Sequence, residues 1–227
     1  SAGNLIFLLI GFFSGLALGA GVVIARYIGA RDRVNTEIAV HTTVAMGLVA
    51  SLIMTMIGMG LAPIILKMMN TPEQVLPASI AYFRIYFAGA TGFVMYNTFA
   101  GIMQAGGDSR HPLLYLIISS VINIVLDLIL IAGFHMGVGA TAFATAFSQM
   151  ISAVLCMIRL IRTKEDYHLE VRKIRFQGSM LGRIIRFGLP SGFQNSIIGF
   201  ANVVVQSYIN YFGEMAMAGA GAYSKIE

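Results

Sequence analysis

The sequence predicts an all-α polytopic membrane protein, a bundle of transmembrane helices, and three observations support this fold class. The chain of 227 residues is 57% apolar and 11% charged, with a mean hydropathy of +0.80, whereas soluble domains are about half apolar and a quarter charged. Its charges are clustered, so that four uncharged runs of 23 to 29 residues and a 48-residue run with one carboxylate remain. About 20 apolar residues cross a bilayer. The composition therefore excludes a soluble enzyme, a nucleic-acid-binding domain and a disulfide scaffold.

Six membrane spans can be placed, and a seventh begins near the end of the chain. The 48-residue run would be about 72 Å long as one helix, so it must fold back, and the glycine-rich segment 133–139 is the predicted turn. Gly106 and Gly107 are typical of a helix C-terminus, and Asp108 or Ser109 can cap the helix that follows. The predicted spans are residues 4–28, 36–65, 77–107, 113–132, 140–161 and 184–212, with residues 216–227 beginning the seventh.

Glycines recur at every fourth position in the first span, at Gly11, Gly15 and Gly19. This spacing places them on one helical face and lets another helix approach closely. We therefore expect this face of the first span to pack against another helix of the bundle.

The basic residues predict the orientation in the membrane. Twelve of the 15 Lys and Arg residues lie in the loops near residues 30, 108 and 170, whereas the other two loops hold Lys67, with Arg84 a few residues into the third span. Cytoplasmic loops carry such an excess of Lys and Arg. The three basic loops are therefore predicted to be cytoplasmic in a multi-pass protein of the cell membrane, and the same placement argues against a nucleic-acid partner.

Asp127 is the strongest candidate for a functional residue, because it is the only charged residue in the 48-residue run. An ionised carboxylate in hydrocarbon costs about 2.5–3.5 kcal/mol, so the side chain is expected to face protein or a water-filled cavity. Asn123 lies four residues earlier on the same helical face and can donate a hydrogen bond to it. A carboxyl group that exchanges a proton or a cation suits a coupled transporter. The alternative is a helix-end carboxylate in the headgroup region, without a transport role.

Polar residues in spans five and six extend this candidate site. Thr145 lies one turn into span five and could reach Asp127, unless its hydroxyl only bonds the carbonyl four residues earlier. Span six carries a polar stripe in which Ser191, Asn195, Asn202 and Gln206 recur at steps of four, seven and four. The stripe faces either a substrate cavity or neighbouring helices, and the sequence leaves both interpretations open.

The sequence shows no catalytic or metal-binding motif. The four histidines have no ligand spacing, and no phosphate-binding loop with its Lys is present. His41 follows Glu37 by four residues, which predicts a surface pair and not a metal ligand. The single cysteine, Cys156, lies in an apolar run and is expected to be a small core residue. We therefore expect a protein that is not an enzyme and has neither a cofactor nor a metal site.

Six motifs, taken in chain order, carry a family resemblance. The motifs are RYIGARD at 26–32, GDSRHP at 107–112, NIVLDLILI at 123–131, GVGATAFAT at 137–145, FGLPSG at 187–192 and AGAGAY at 218–223. Together they are similar to the multidrug and toxic compound extrusion (MATE) family, and they cover essentially the whole chain.

The resemblance implies two six-helix lobes joined by a cytoplasmic linker. Residues 1–161 would then be five helices of the N-terminal lobe, residues 162–182 the linker, and residues 183–227 the start of the C-terminal lobe. The chain begins inside a predicted span, which indicates a fragment without helix one. The family exports organic cations, drugs or other amphiphiles in exchange for H⁺ or Na⁺, by alternating access between the lobes. The full-length protein is expected to be a monomer in the lipid bilayer.

The resemblance also assigns roles to individual residues. Members with a cation site in the N-terminal lobe use a helix-one Asp beside a helix-five Asn and Asp and a helix-six Thr, and Asn123, Asp127 and Thr145 match the last three. Other members use an acidic site in the C-terminal lobe, but span six has no carboxylate before Glu214.

Two other functions stay open at this stage. A flippase for lipid-linked precursors would need a strongly cationic inner cavity, which the spans do not indicate apart from Arg84. A non-transporting membrane scaffold would use its polar stripes only to join helices.

Overall fold

The computed structural model describes residues 2–68, 76–133 and 139–211, and within these ranges the chain is a helical bundle without a strand. The predicted fold class is confirmed. A π-helical segment, Leu128–Gly133, continues the fifth helix, and a 3₁₀ turn, Val171–Lys173, precedes the last one. The helices are α1 Ala2–Gly29, α2 Arg33–Met68, α3 Leu76–Ala88, α4 Ala90–Ala105, α5 Arg110–Asp127, α6 Gly139–Arg162 and α7 Gly178–Tyr211.

Three helical segments in the described ranges are long and apolar enough to cross a membrane: Arg33–Gly60, Arg110–Ile131 and Gly139–Arg162. They agree with the second, fourth and fifth predicted spans, and Gly15–Gly29 is a shorter apolar helix in the first. The centre of the predicted turn, residues 134–138, and the predicted seventh span lie outside the described residues. One face of α5 is strongly exposed, as expected of a surface against lipid, and includes Leu113, Ile117, Val121 and Ile124.

The third predicted span forms two helices, because the backbone turns at Gly89 between α3 and α4. The Gly89 N–H is shared between the carbonyl oxygens of Ile85 and Tyr86, at 3.2 and 3.1 Å. A Cβ at Gly89 would lie only 2.1 Å from the Cβ of Ala146 on α6. The break coincides with a close approach to a neighbouring helix.

The predicted close packing on the glycine face of α1 is confirmed at Gly15 and Gly19, and the partner is α7. A Cβ at Gly15 would lie 2.2 Å from the Cα of Gly192, and a Cβ at Gly19 would lie 2.2 Å from the Cα of Gly188. Both helices therefore present glycines four residues apart, and their backbones touch. Gly11 is not among the residues whose packing is described.

The main hydrophobic core lies at the end of the bundle that carries the segment between α6 and α7. Ile24, Ile102 and Leu160 are buried in it. Cys156 is a buried free cysteine, as predicted. Helices α1, α2, α4, α6 and α7 all contribute to this core, so it unites most of the bundle.

The segment between α6 and α7, residues 163–177, packs onto this core, and we call it the strap. Tyr167 and Leu169 of the strap are 4% and 1% exposed. A Cβ at Gly106 would lie 2.2 Å from the ring of Tyr167, and the N–H of Leu169 donates to the carbonyl of Leu160 at 3.0 Å. The strap therefore anchors the end of α6 to the end of α4.

His41 joins α2 to the strap, so the prediction of a surface pair with Glu37 was wrong. The imidazole is 3% exposed. Its Nδ1 donates to the backbone oxygen of Glu37 at 2.6 Å, and its Nε2 accepts the backbone N–H of Glu170 at 3.1 Å. Both contacts are satisfied only by the neutral ring with its proton on Nδ1. The Glu37 carboxylate instead pairs with Lys173 of the strap, at 2.8 Å.

The carboxylate of Asp108 bonds the start of α5, while the N-cap position is held by Ser109, whose side chain makes no capping hydrogen bond. The Asp108 carboxylate accepts the backbone N–H of His111 at 3.2 Å and the ring Nδ1 at 2.7 Å. Burial raises the pKa of Asp108, but these hydrogen bonds and the charges of His111 and Arg159 outweigh that effect, so the pKa lies below its ordinary value. The carboxylate therefore stays ionised and fixes the start of α5.

Replacing Gly19 by Ala is expected to destabilise the full-length protein, because the new methyl group would meet the backbone of α7, which has no side chain to move aside. The measurement is the midpoint of thermal unfolding in detergent. Gly21→Ala is the matched control on the same helix, since its Cβ would come no closer than 3.7 Å to the carbonyl oxygen of Gly101. Equal midpoints for the two variants would contradict the contact.

Replacing His41 by Ala is expected to release the strap. The substitution leaves the Glu170 N–H without its partner, which costs about 1–3 kcal/mol. Cleavage by trypsin at Arg172, Lys173 and Arg175 should then accelerate, by about tenfold for each 1.4 kcal/mol.

Trypsin digestion of the folded full-length protein measures this rate. His111→Ala is the control, because it removes a histidine from the same end of the bundle without touching Glu170. If His41→Ala and His111→Ala were cleaved at the same rate, the anchoring role of His41 would be wrong.

Candidate functional site

Helices α5 and α6 bring Asn123 and Thr145 together. The Asn123 side-chain amide lies 3.5 Å from the Thr145 hydroxyl, which accepts its hydrogen bond. One turn away, the hydroxyl of Ser119 donates to the backbone oxygen of Ser148 at 2.6 Å. These two polar contacts set the register of α5 against α6. Asn123 and Asp127 are four residues apart, so both lie on the same face of α5.

Asp127 is the last residue of α5 and lies where the α-helix passes into the π-helical segment. Its Oδ1 atom is buried and has no hydrogen-bond partner among the described residues. The structure records the amide hydrogen bond of Asn123 to Thr145 and none from Asn123 to this oxygen. A buried carboxylate oxygen without a donor is costly.

The π-helical segment Leu128–Gly133 is a feature of the site that the sequence did not indicate. Its wider turn begins directly after Asp127. Such segments are rare, and they occur frequently at functional sites. The residues are an ordinary apolar run, LILIAG, so no signal in the sequence could have revealed it.

Thr145 also lines a cavity of about 110 Å³ between α2, the α3–α4 break and α6. Gln149 lies one turn further along α6 in the same wall, and its Oε1 atom is buried without a partner in the described part of the chain. Sequence reasoning did not select Gln149 as a site residue. The other residues of the wall are Met54, Tyr86, Gly89, Ala90, Phe93 and Ala146.

A wider groove of about 540 Å³ runs between α1 and α4 and reaches Leu116 of α5. Small residues of both helices line it. The polar groups at this groove are engaged locally: the Asn97 amide donates to the carbonyl of Phe93 at 2.8 Å, and the Tyr96 hydroxyl donates to the carbonyl of Pro112 at 3.1 Å. Gln104 is exposed in its wall.

Of the three residues predicted in span six, the structure describes only the side chain of Asn195, which it does not bring to the α5–α6 site. Asn195 is partly buried on α7, and α7 packs chiefly against α1. The side chains of Asn202 and Gln206 lie outside the described part of the structure. Whether this stripe lines a substrate cavity stays a prediction. Among the described residues, no group of three or more His, Cys, Asp or Glu side chains could hold a metal ion.

Comparison with known proteins yields consistent matches. The MatE family model matches residues 1–129. The chain is 28% identical to the probable multidrug resistance protein YoeA of Bacillus subtilis, covering 98% of this chain and 50% of that protein. It is 23% identical to the multidrug export protein MepA of Staphylococcus aureus strain MRSA252, covering 94% of this chain and 48% of that protein. The chain thus spans about half the length of these relatives.

Two solved structures share the fold. One is a multidrug resistance MATE family transporter of the MOP superfamily in the outward-facing conformation. It matches with a TM-score of 0.81 and 26% sequence identity, and the match covers 89% of this chain and 45% of that chain. The other is a MOP superfamily transporter from Pyrococcus furiosus, with a TM-score of 0.83 and 26% identity over 98% of this chain and 50% of that one.

The contact between Asn123 and Thr145 can be tested by a double-mutant cycle with Asn123→Ala and Thr145→Val. A hydrogen bond between membrane helices contributes about 0.6 kcal/mol on average, so we expect a coupling energy of about that size in the free energy of unfolding. A parallel cycle of Ser119→Ala with Thr145→Val should give no coupling, because Ser119 bonds a backbone oxygen. Equal coupling in the two cycles would show that the contact is absent.

Proposed function

Because the chain belongs to the MatE family, we propose that the full-length protein is a secondary antiporter that exports organic cations or other amphiphiles in exchange for H⁺ or Na⁺. The chain is a multi-pass protein of the cell membrane. Relatives of this chain bear the names of multidrug resistance and multidrug export proteins, which supports drug-like compounds as the exported class. The observation that carries the proposal is the buried, unpartnered Oδ1 of Asp127.

In this proposal Asp127 is the coupling residue. A proton or a cation bound at Oδ1 supplies the positive charge that this buried oxygen lacks. Asn123 is a positioning residue for the coupling ion, and Thr145 orients its amide through their 3.5 Å contact. The π-helical turn after Asp127 supports this role, because such turns occur frequently at functional sites.

Exchange requires two conformations that bind the ion and the substrate with different affinity. The contact of Gly15 and Gly19 with α7 supports a place for this change, since at these positions α1 meets the backbone of α7 directly. In the proposed cycle the ion stabilises one arrangement of α1 and α7, and the substrate stabilises the other. The substrate cavity would open between them, on the face that carries Asn195.

The flippase alternative is disfavoured by the walls of the two cavities. Among the described residues, neither the 110 Å³ cavity nor the 540 Å³ groove has a Lys or Arg in its wall, whereas anionic lipid-linked precursors need positive charge. A scaffold without transport activity would not require the unpartnered oxygen of Asp127.

Asp127→Asn in the full-length protein is expected to abolish gradient-driven export of a fluorescent organic cation, with at least about a tenfold loss of rate for a general acid–base or ion-binding group. Export is measured in inverted vesicles while the pH gradient and the Na⁺ gradient are collapsed separately. The gradient whose collapse stops the wild-type protein identifies the coupling ion.

Asp166→Asn is the matched control, because Asp166 pairs with Arg33 at 3.0 Å outside the spans. If export continues unchanged after Asp127→Asn, Asp127 is not the coupling residue, and that residue must lie elsewhere in the full-length protein. If the wild type and the Asp166→Asn control both fail to export the cation under any gradient, the flippase and scaffold interpretations would be favoured.

A further inference from the structure

The second half of the strap, residues 170–177, has little hydrophobic anchoring. All of its residues are exposed except Ile174, which is partly buried against the core. The first half differs, because Tyr167 and Leu169 are almost fully buried. Polar contacts with α2 must therefore hold the second half against the bundle.

Among the described residues, two polar contacts join this half to α2. The N–H of Glu170 donates to Nε2 of His41 at 3.1 Å, and the ammonium group of Lys173 pairs with the Glu37 carboxylate at 2.8 Å. The same ammonium group donates to the Glu170 carboxylate at 2.8 Å and holds the pKa of that carboxyl below its ordinary value. The Glu170 carboxylate therefore stays ionised in the range in which histidine changes its charge.

The hydrogen bonds of His41 admit only the neutral ring. Nδ1 donates to the backbone oxygen of Glu37 at 2.6 Å, so Nε2 must be the acceptor of the Glu170 N–H. A proton on Nε2 would make it a second donor that faces this N–H, and the contact would be lost. The closed strap therefore excludes a proton that the released histidine binds, so a fall in pH favours release.

A small cavity beside the ring allows water to reach it despite its burial. The cavity holds about 50 Å³ between α2 and the strap, whereas a water molecule needs about 10–15 Å³. The Oγ1 atom of Thr42 is buried in its wall without a partner in the described part of the chain. The cavity is therefore polar as well as large enough for water, and a proton can reach His41 while the strap is closed.

The charges that surround His41 balance each other. Glu37 of α2 and the Glu170 side chain are negative, and Lys173 and Arg175 of the strap are positive. Within the described ranges, the cavity wall contains no charged residue of α4 or α7. With equal numbers of each sign, the hydrogen bonds of the ring decide which protonation state the closed strap accepts.

We propose that His41 is a pH-sensitive latch, which holds residues 170–177 on α2 while its ring is neutral and releases them when the ring is protonated. Release frees the segment that leads into α7 at Gly178. The basic loops predict that this end of the bundle is cytoplasmic, so the latch responds to acidification of the cytoplasm. It does not depend on ion coupling at Asp127, which lies at the other end of α5.

Amide hydrogen exchange of the purified full-length protein tests the latch, by mass spectrometry with residue-level fragmentation. Each rate is divided by the intrinsic rate of an unprotected amide at the same pH, which gives a protection factor. Histidine in water titrates near pH 6.5, so between about pH 7.5 and about pH 5.5 the protection of the Glu170 amide should fall about tenfold. The Leu169 amide, which donates to the Leu160 carbonyl at 3.0 Å, is the internal control and should keep its protection.

Two substitutions of His41 separate the acceptor from the titration. His41→Gln supplies an amide oxygen that can accept the Glu170 N–H and takes up no proton in this range, so protection should be kept at both pH values. His41→Ala has no acceptor, so protection of the Glu170 amide should be low at both pH values.

His168→Gln and Glu37→Gln are the matched controls, because each removes a neighbouring titratable group and leaves His41 in place. His168 lies on the strap with its Nδ1 2.9 Å from the carbonyl oxygen of Thr163. Glu37→Gln keeps the backbone oxygen that His41 binds. Both variants should retain the tenfold fall in protection at Glu170.

The latch is overturned if the corrected protection of Glu170 in the wild type does not change with pH. It is also overturned if folded His41→Gln or His41→Ala shows the same fall as the wild type, or if His168→Gln or Glu37→Gln abolishes the fall. The thermal unfolding midpoint shows which variants are folded. The wild type and the two controls test the latch even where a His41 variant does not fold.

Discussion

The bilayer interior offers no hydrogen-bond partners, so each polar side chain in the spans must find its partner within the protein. Most such groups in the described residues are satisfied by a neighbouring helix or by their own backbone, as Asn123 is by Thr145. The Oδ1 of Asp127 and the Oε1 of Gln149 are exceptions, and they lie on either side of the same threonine contact. The two unsatisfied acceptors that the α5–α6 region contains therefore flank one polar bridge.

A second constraint follows from the first, because helices in lipid gain little from the hydrophobic effect and associate through close packing. Small residues therefore decide which helices touch. Gly15 and Gly19 bring α1 onto α7, and Gly89 brings the α3–α4 break onto α6. The contact at Gly89 also leaves the cavity that Gln149 and Thr145 line. The same close packing of small residues thus produces both the contact between α1 and α7 and the cavity that Thr145 and Gln149 line.

The sequence predicted the features that depend on composition and period, and it missed those that depend on tertiary contacts. Uncharged runs located the spans, and the four-residue period identified the face of α1 that packs closely. The burial of His41 depends on a backbone N–H 129 residues away, which no local pattern contains. The break at Gly89 and the π-helical turn after Asp127 lie in ordinary apolar runs. The proposed roles of Asp127, Asn123 and Thr145 are still predictions that rest on resemblance and geometry.

The strap determines where motion between α1 and α7 can occur. Tyr167 and Leu169 fix it to the core, and the His41 contact to Glu170 fixes it to α2. The anchoring continues into α7, whose Met180 and Ile184 are buried in the same core. In the proposed cycle a separation of α7 from α1 must therefore occur beyond Ile184, while the strap stays with the first five spans. The segment predicted to be the linker between two lobes is thus packed, over residues 163–177, on the helices that precede it.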